Sequence, residues 1–480
     1  NSMIQILEQV SSYSNALGFK DQLKKVDLMI SPPVQRFDLT GYEMSDTIIG
    51  LGYKEAMKHI DILDQLPKKK TEVLIVNDLR RMDPFLINDV EVVGNENTTS
   101  RYVRSKLKLK KPRVYTSKKL DEGLDRLYGS NYYEYLDFDL IKVDTAYKLI
   151  VNLKERKSDM TLRTGIHYDD DFGIGILLNV TLRNALVSNS RFTIDAVLSE
   201  NPRGKITYVF DRGYIPALGF QFGFNRFGTR IYSNREAITS LTYQDFSLNV
   251  FLISTISNNY SLGAGIKFEN TNYLEDFQFL GIGNINNNYI QYYAFIDIDN
   301  FNRKYKPLNG FKIKSEIKTI ARQVQGTQFI EPSSVAYVKY DQAIKVSKRV
   351  GINTTLLAAA TIGPDLDLPY NIYFGGLGEN YNNFIFPFLG YKYMELIGRN
   401  AVMGRVDLYY EPIDNHFFTV KANAGKLEPT FDGFFNSSII LDGYGFSYGY
   451  NSPFGPLEFT IITSSNHSDI LSYLSLGYWF

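Results

Sequence analysis

Cysteine is absent from all 480 residues. Its absence excludes disulfides, thiolate metal sites and cysteine nucleophiles together. It also suits an oxidising compartment, where a stray thiol is a liability. Charge of one sign is missing too: 52 Lys and Arg balance 52 Asp and Glu. A nucleic-acid footprint needs a basic excess, or a basic stripe interleaved with stacking aromatics. Neither is found, and no nucleic-acid partner is expected. The runs Lys68–Lys70 and Lys106–Arg113 read as solvated linker or helix-end charge. No window approaches the roughly 18 consecutive apolar residues that a membrane helix needs. Histidine is sparse, and His59, His167, His416 and His467 fall in separate regions without ligand spacing. No metal and no cofactor is therefore expected. Asp169–Asp171 reads as a solvated hairpin tip rather than a calcium loop. The opening NSMIQILEQV lacks the regions of a signal peptide and reads as the interior of a longer chain.

What is abundant is aromatic: 35 Tyr and 33 Phe, concentrated with Asn and Gly in the second half. From about residue 158 helical periodicity stops. Segments of about ten residues alternate apolar and polar between Asn, Gly, Asp and Pro clusters. In GFKIKSEIKTIAR, Phe311, Ile313, Ile317 and Ala321 share one face, opposite Lys312, Lys314, Glu316 and Lys318. In VMGRVDLYYE, Val402, Val406, Leu408 and Tyr410 oppose Arg405, Asp407 and Glu411. Side chains in a strand alternate faces, so each segment has one apolar and one charged face. A soluble sandwich alternates as well. Three features favour a membrane barrel instead: strands recurring to the terminus without a helical layer, aromatic apolar faces, and short connections alternating with long ones. About sixteen strands fit, an even number as in bacterial barrels. They are expected near residues 160–168, 173–183, 190–200, 204–211, 215–233, 237–255, 258–275, 288–300, 309–323, 332–348, 350–361, 399–411, 415–425, 439–451, 454–463 and 470–480. The inward charges Lys312, Lys314, Glu316, Lys339, Asp341, Arg405 and Asp407 either line a pore or form ion-pair networks that fill one.

Ahead of the barrel, residues 85–157 read as strand, helix, helix, strand, strand, with Thr98 or Thr99 and Ser117 as N-caps and Gly129 as a helix stop. Residues 67–84 read as a linker, with a short strand in EVLIVNDL. In residues 1–66, VDLMISPPV reads as a buried strand ended by Pro32 and Pro33. A helix follows through SDTIIGLGYKEAMKHIDIL, with Ser45 or Asp46 as N-cap.

These patterns resemble a known protein family. The 85–157 order, with Val93–Asn95 inside a V-x-G-N step, resembles a POTRA domain. The loop NIYFGGLGENYNNFIFPFLGYKYMELIG resembles the long sixth loop of the bacterial surface antigen barrels. Barrel-assembly factors and two-partner-secretion pores belong to that group. Gly375 and Gly376 match its glycine pair, and Phe388, Leu389, Gly390 and Tyr391 align with its R-G-[FY] tip, with Leu389 where the arginine stands. The 26–60 segment, with Asp46, Ile48, Gly52 and Ala56 in a D-x-I-x-x-G-x-x-A-like helix, is similar to the last strand and helix of a patatin-like phospholipase domain. The whole resembles the outer-membrane patatin proteins of the Bacteroidetes.

The fold class implied is mainly β, a sixteen-stranded antiparallel transmembrane barrel (158–480) preceded by one α+β POTRA-like domain (85–157) and the C-terminal tail of a patatin-like α/β domain (1–66). The resemblance implies the bacterial outer membrane, with the N-terminal domains in the periplasm. Its implied partners are outer-membrane lipid, the barrel-assembly machinery during insertion, a phospholipid substrate, and a larger outer-membrane complex. Patatin-like enzymes hydrolyse lipid with a serine in G-x-S-x-G and an aspartate in D-G-[GA]. Both are expected to be missing, with Asp432–Gly433 and Asp442–Gly443 used as hairpin turns, so the chain alone should be catalytically inactive. A barrel working in outer-membrane protein assembly or translocation is the alternative function, and a simple porin a third. The ending YLSLGYWF resembles the insertion signal of such barrels through Leu476, Tyr478 and Phe480, with Ser475 where glycine is preferred.

Overall fold

The computed structural model describes residues 26, 28–34, 37, 44–65, 84–108, 113–156, 160–213, 216–257, 259–274, 286–324, 331–378 and 384–478. The chain divides into two units, residues 1–74 and 75–480.

In the first unit, α1 (Ser45–Met57) and α2 (Ile60–Gln65) replace the single expected helix. Bonds of the i→i+3 type from Lys58 and His59 to Glu55 and Ala56 tighten the chain between them. Neither Ser45 nor Asp46 caps α1; its N-cap is Met44, without a side-chain bond. The strand expected in VDLMISPPV is not found among the described residues, and Val26 and Met29 are exposed. Pro32 and Pro33 carry no N–H for a ladder. The expected strand in EVLIVNDL lies outside the described residues.

The second unit begins with β1 (Phe85–Val93), α3 (Ser100–Lys106), β2 (Arg113–Tyr115), α4 (Ser117–Gly129), β3 (Tyr133–Val143) and β4 (Ala146–Glu155). They form a sheet of order β2-β1-β4-β3. The three-residue β2 is too short for its alternation to show in sequence. Apolar faces of both helices close on the sheet around Ile87, Val103, Leu120, Leu127, Leu149 and Val151. Thr99 caps α3, but Thr116, not Ser117, caps α4 by accepting from Lys119 N. After β1, Gly94 sits at φ +84°, where a Cβ would meet the Leu153 carbonyl oxygen at 2.0 Å; only glycine fits.

Sixteen strands then close a barrel: β5 (Met160–Asp169), β6 (Gly173–Arg183), β7 (Ser190–Leu198), β8 (Arg203–Phe210), β9 (Ala217–Ser233), β10 (Glu236–Ser257), β11 (Tyr260–Leu274), β12 (Asn286–Asp299), β13 (Gly310–Val324), β14 (Ser333–Lys345) and β15 (Val350–Ile362). Three short strands follow in the long loop, β16 (Ile372–Phe374), β17 (Ile385–Phe386) and β18 (Leu396–Gly398). The wall resumes with β19 (Asn400–Ile413), β20 (His416–Glu428), β21 (Leu441–Ser452), β22 (Gly455–Ser464) and β23 (His467–Leu476). A short helix, α5 (Gly433–Asn436), lies in the connection from β20 to β21.

The wall is apolar outside and polar inside. On β10, Phe246, Leu248, Val250 and Leu252 are exposed, while Asp245 and Ser247 between them are buried toward the lumen. In water that arrangement would leave an unpaid apolar belt; facing lipid it is the stable one. The first domain of this unit sits against the adjoining barrel turns. Thr99 and Asn189 exchange hydrogen bonds of 3.1 and 3.0 Å, Lys106 pairs with Asp211 at 2.7 Å, and the Tyr132 hydroxyl donates to Ser190 O. That end is called the near end below, and the opposite rim the far end.

Candidate functional site at the seam and in the lumen

The barrel closes where the first strand, β5, meets the last, β23. Among the described residues that junction has two register pairs, Asp169↔Ser475 and Tyr168↔Leu476. The neighbouring β22–β23 junction, the shortest elsewhere in the wall, runs from Leu457↔Leu476 to Ser464↔His467. Among the described residues the seam-side ladder of β5 is formed by Tyr168 and Asp169, near its far end. Gly477 follows the last pair among the described residues. At φ +89° it turns the chain, gives its N–H to Pro456 O at 2.9 Å, and lies so near Ile166 that a Cβ would come within 2.2 Å of the carbonyl oxygen.

The hairpin tip Asp169–Asp171 finishes the seam. Asp169 is fully buried, accepting from the Asp171 and Phe172 amides and meeting His167 Nε2 at 2.8 Å. Asp170 accepts the Leu474 amide at 2.8 Å, a strand N–H taken by a side chain where backbone pairing has stopped. Asp171 turns toward Gly376 and the Leu377 amide of the long loop. Burial, with Asp169 and Asp170 beside it, pushes its carboxyl up to about 7. The tip is therefore a structural joint, not the freely solvated turn expected from sequence.

The long loop, residues 363–399, folds into the lumen. Its stem is held by β11–β13: Asp367 accepts from Arg322, from the Tyr289 hydroxyl, and from Asn287 Nδ2 at 3.1 Å, and the Tyr370 hydroxyl donates to Glu269. Its tip is held by β20–β22. Leu389, fully buried, gives its amide to Asn423 Oδ1 at 2.9 Å, and its carbonyl oxygen lies where a Cβ on Gly443 would be, 2.0 Å away. The glycine pair and tip are bonded to each other: Gly376 N donates to Tyr391 O and Phe388 N to Gly376 O, with Phe374 stacked on Phe388 at 5.0 Å. Gly375 and Gly376 both take positive φ, +135° and +70°. Arg235, in the β9–β10 turn, reaches the tip: its guanidinium donates to Gly390 O at 2.7 Å and Asp469 O at 2.6 Å. A cation thus meets the tip from the wall, beside the buried Leu389.

At the near end, residues 300–309 enter the lumen. The Tyr305 hydroxyl donates to Glu458 Oε2 at 2.7 Å, Lys306 Nζ lies 3.1 Å from the same carboxylate, and Lys421 pairs with its other oxygen. The Tyr409 hydroxyl donates to Pro307 O at 2.9 Å, and Tyr305 packs edge-on against Phe417. Glu458 is the shared anchor.

An OMP85 superfamily model matches residues 147–480. The chain belongs to the OMP85 superfamily. A second model, POTRA (surface antigen variable number repeat), matches residues 85–156. Among solved structures, BamA from Haemophilus ducreyi lacking POTRA domains 1–3 is 14% identical, with a TM-score of 0.61 over 82% of this chain and 84% of that one. CdiB from Acinetobacter baumannii is also 14% identical, with a TM-score of 0.53 over 99% of each chain. At such identity these two likenesses concern the fold alone.

The charges singled out in sequence lie on the lumen side as neighbours two residues apart or across a rung. Lys339 is 3.5 Å from Asp341, Arg405 donates to Asp407 at 2.8 Å, Glu316 pairs with Lys318, and Lys312 with Asp299. Lys314 stands beside Lys339 in register. Leu476 and Tyr478 flank Gly477, and Phe480 lies outside the described residues. A G-x-S-x-G string, contrary to expectation, does occur: Gly445-Phe446-Ser447-Tyr448-Gly449. It runs through the middle of β21 with Ser447 buried on the lumen side, without the strand-to-helix elbow that would make its hydroxyl a nucleophile. Of the D-G pairs, Asp432–Gly433 opens α5 and Asp442–Gly443 lies in β21, so neither is a hairpin turn. Sequence reasoning missed Arg235, Asn423, Tyr305 and Glu458, whose partners are distant in the chain. The ten-residue connection 300–309, long for its side of the barrel, was the one visible signal.

Proposed function

We propose that this chain works in the bacterial outer membrane as an assembly factor, with the POTRA domain in the periplasm and the β5–β23 seam as the working edge. The observation that carries this is the seam itself, which among the described residues has two backbone register pairs with a side-chain bond beside them. A strand edge released from so short a junction would offer N–H and C=O groups to another strand, and in lipid such groups must find partners. A client strand is therefore the natural ligand of β5. The lumen favours this over conduction or passage through the centre, since the long loop fills it and residues 300–309 hold its near end.

The cysteine-free chain permits a direct test. Tyr168→Cys with Leu476→Cys places two thiols on register partners, a spacing compatible with a disulfide. In proteoliposomes the reduced protein should speed folding of a small client barrel, and oxidation should abolish the effect until a reductant is added. Equal activity of the oxidised and reduced forms would remove the seam from the mechanism.

A second reading makes the barrel the anchor of a patatin-like lipid acyl hydrolase. The resemblance of residues 26–60 to a patatin tail supports it, as does α1, which buries none of its residues and exposes Ile49, Tyr53 and Met57. Fatty-acid release from phospholipid micelles by the protein, together with whatever precedes Asn1 in its reading frame, tests it. Residues 1–480 alone should release none.

A further inference from the structure

The loop between β20 and β21, residues 429–440, has chemistry that neither the seam nor the lumen uses. Phe431, Phe434 and Phe435 cluster, with ring centroids 6.2 and 5.8 Å apart, and Phe431, Phe435, Ile439 and Ile440 are exposed. A far-end loop surrounded by water has no reason to gather such residues at one spot.

Its position supplies the reason. On β20 the lumen side is taken by Thr419, Lys421 and Asn423, all buried, and the exposed residues Phe418 and Val420 face out. By the same alternation Lys426 and Glu428 face out. Lys426 Nζ donates to Phe434 O at 3.0 Å and Ser437 O at 2.7 Å, and Gly433 packs directly on the Glu428 side chain. The loop therefore bends over the outer surface of the wall and not over the lumen. There it continues the apolar belt of Val420, Tyr444 and Phe446.

From Phe418 to Ala424 that belt rises about 20 Å along the strand, and less along the barrel axis because strands tilt. A bilayer-facing band is about 25 Å tall. The belt on β20 ends short, at Lys426. We propose that α5 and its flanks restore the missing height, as an aromatic anchor seated in the headgroup–acyl boundary of the outer leaflet. The occupant of this face is lipid. A lysine pointing into water needs no partner, whereas one beneath a lipid surface does, and two loop carbonyls supply it.

The absence of cysteine again makes the test clean. Phe435→Cys, Val420→Cys and Asp414→Cys are each labelled with a nitroxide in the full chain, reconstituted in phosphatidylethanolamine–phosphatidylglycerol vesicles. Val420 is the lipid reference, and Asp414, in the near-end turn, the water reference. The label at 435 should collide more with oxygen than with a water-soluble nickel chelate, as at 420. A label at 435 that follows position 414 overturns the proposal and leaves this face to a soluble partner. Failure of the seam-locking experiment would not move this result, because no label lies at the seam.

Discussion

Leu474 gives its main-chain N–H to the Asp170 carboxylate at 2.8 Å, across the junction where strand-to-strand pairing has run out. A side chain holds the rung that backbone holds elsewhere in the wall. Asp170→Ala removes the acceptor, and Asp170→Asn keeps an oxygen without the charge. Net hydrogen bonds of this kind are worth about 1 kcal/mol. Amide exchange at Leu474 is expected to rise about fivefold in the Ala variant and less in Asn, read by hydrogen–deuterium exchange of the β23 peptide. No change in the Ala variant would mean the bond does not hold the seam.

Asp171 carries a pH dependence. Its carboxyl is raised to about 7 in the folded protein, first by burial and then by Asp169 and Asp170, against the Leu377 amide and Lys392 that favour its charge. A raised acid holds its proton better folded than unfolded, so its contribution is full at low pH and is lost as pH rises from the ordinary carboxylate range through about 7. The contact between hairpin tip and long loop should be firmer at pH 5.5 than at pH 8. Asp171→Asn should flatten the difference, measured as protease protection of the loop at both pH values.

Arg235 bridges the loop tip, through Gly390 O, to the wall strand β23, through Asp469 O. Arg235→Ala should free the tip, and nicking by trypsin after Lys392 should rise about tenfold for a loss of about 1.4 kcal/mol. Arg235→Lys keeps the charge but cannot fork to both oxygens, and should fall between.

Glu458, half-buried, is the counterion of the buried Lys306 and Lys421. Glu458→Gln leaves two cations without it and withdraws the ionic partner of Tyr305. Residues 300–309 should leave the lumen, seen as larger single-channel conductance in planar bilayers. Gly449→Ala offers an independent check, because its Cβ would sit 2.1 Å from the Tyr305 hydroxyl oxygen and should expel the same segment.

The wall was legible because it answers to two solvents. Each strand repeats an apolar and a polar face at period two, and Val402, Val406 and Leu408 opposite Arg405 and Asp407 announce it. The loop glycines were singled out from a family resemblance, and Gly375 and Gly376 occupy backbone conformations few other residues accept. Contacts across the lumen were not legible. Tyr305 and Glu458 are 153 positions apart, Arg235 and Gly390 155, and no local period links them. Local chemistry also misled where two neighbours were equally suited, as with Thr116 and Ser117 at the start of α4. The strand expected in VDLMISPPV was read from apolar residues alone, and a strand also needs a neighbour for its amides.

The long loop is a spoke across a hoop. Its stem is fixed to β11–β13 through Asp367 and Tyr370, and its tip to β20–β22 through Asn423 and the glycine-lined wall. A hoop with a fixed spoke cannot widen freely. Parting β5 from β23 lengthens the circumference and pulls the two anchorages apart, so one must let go before the gap can grow. The tip, held by fewer charged contacts than the stem, is the end that would release first, so that opening of the seam under the proposed function would have an order in time: spoke, then hoop.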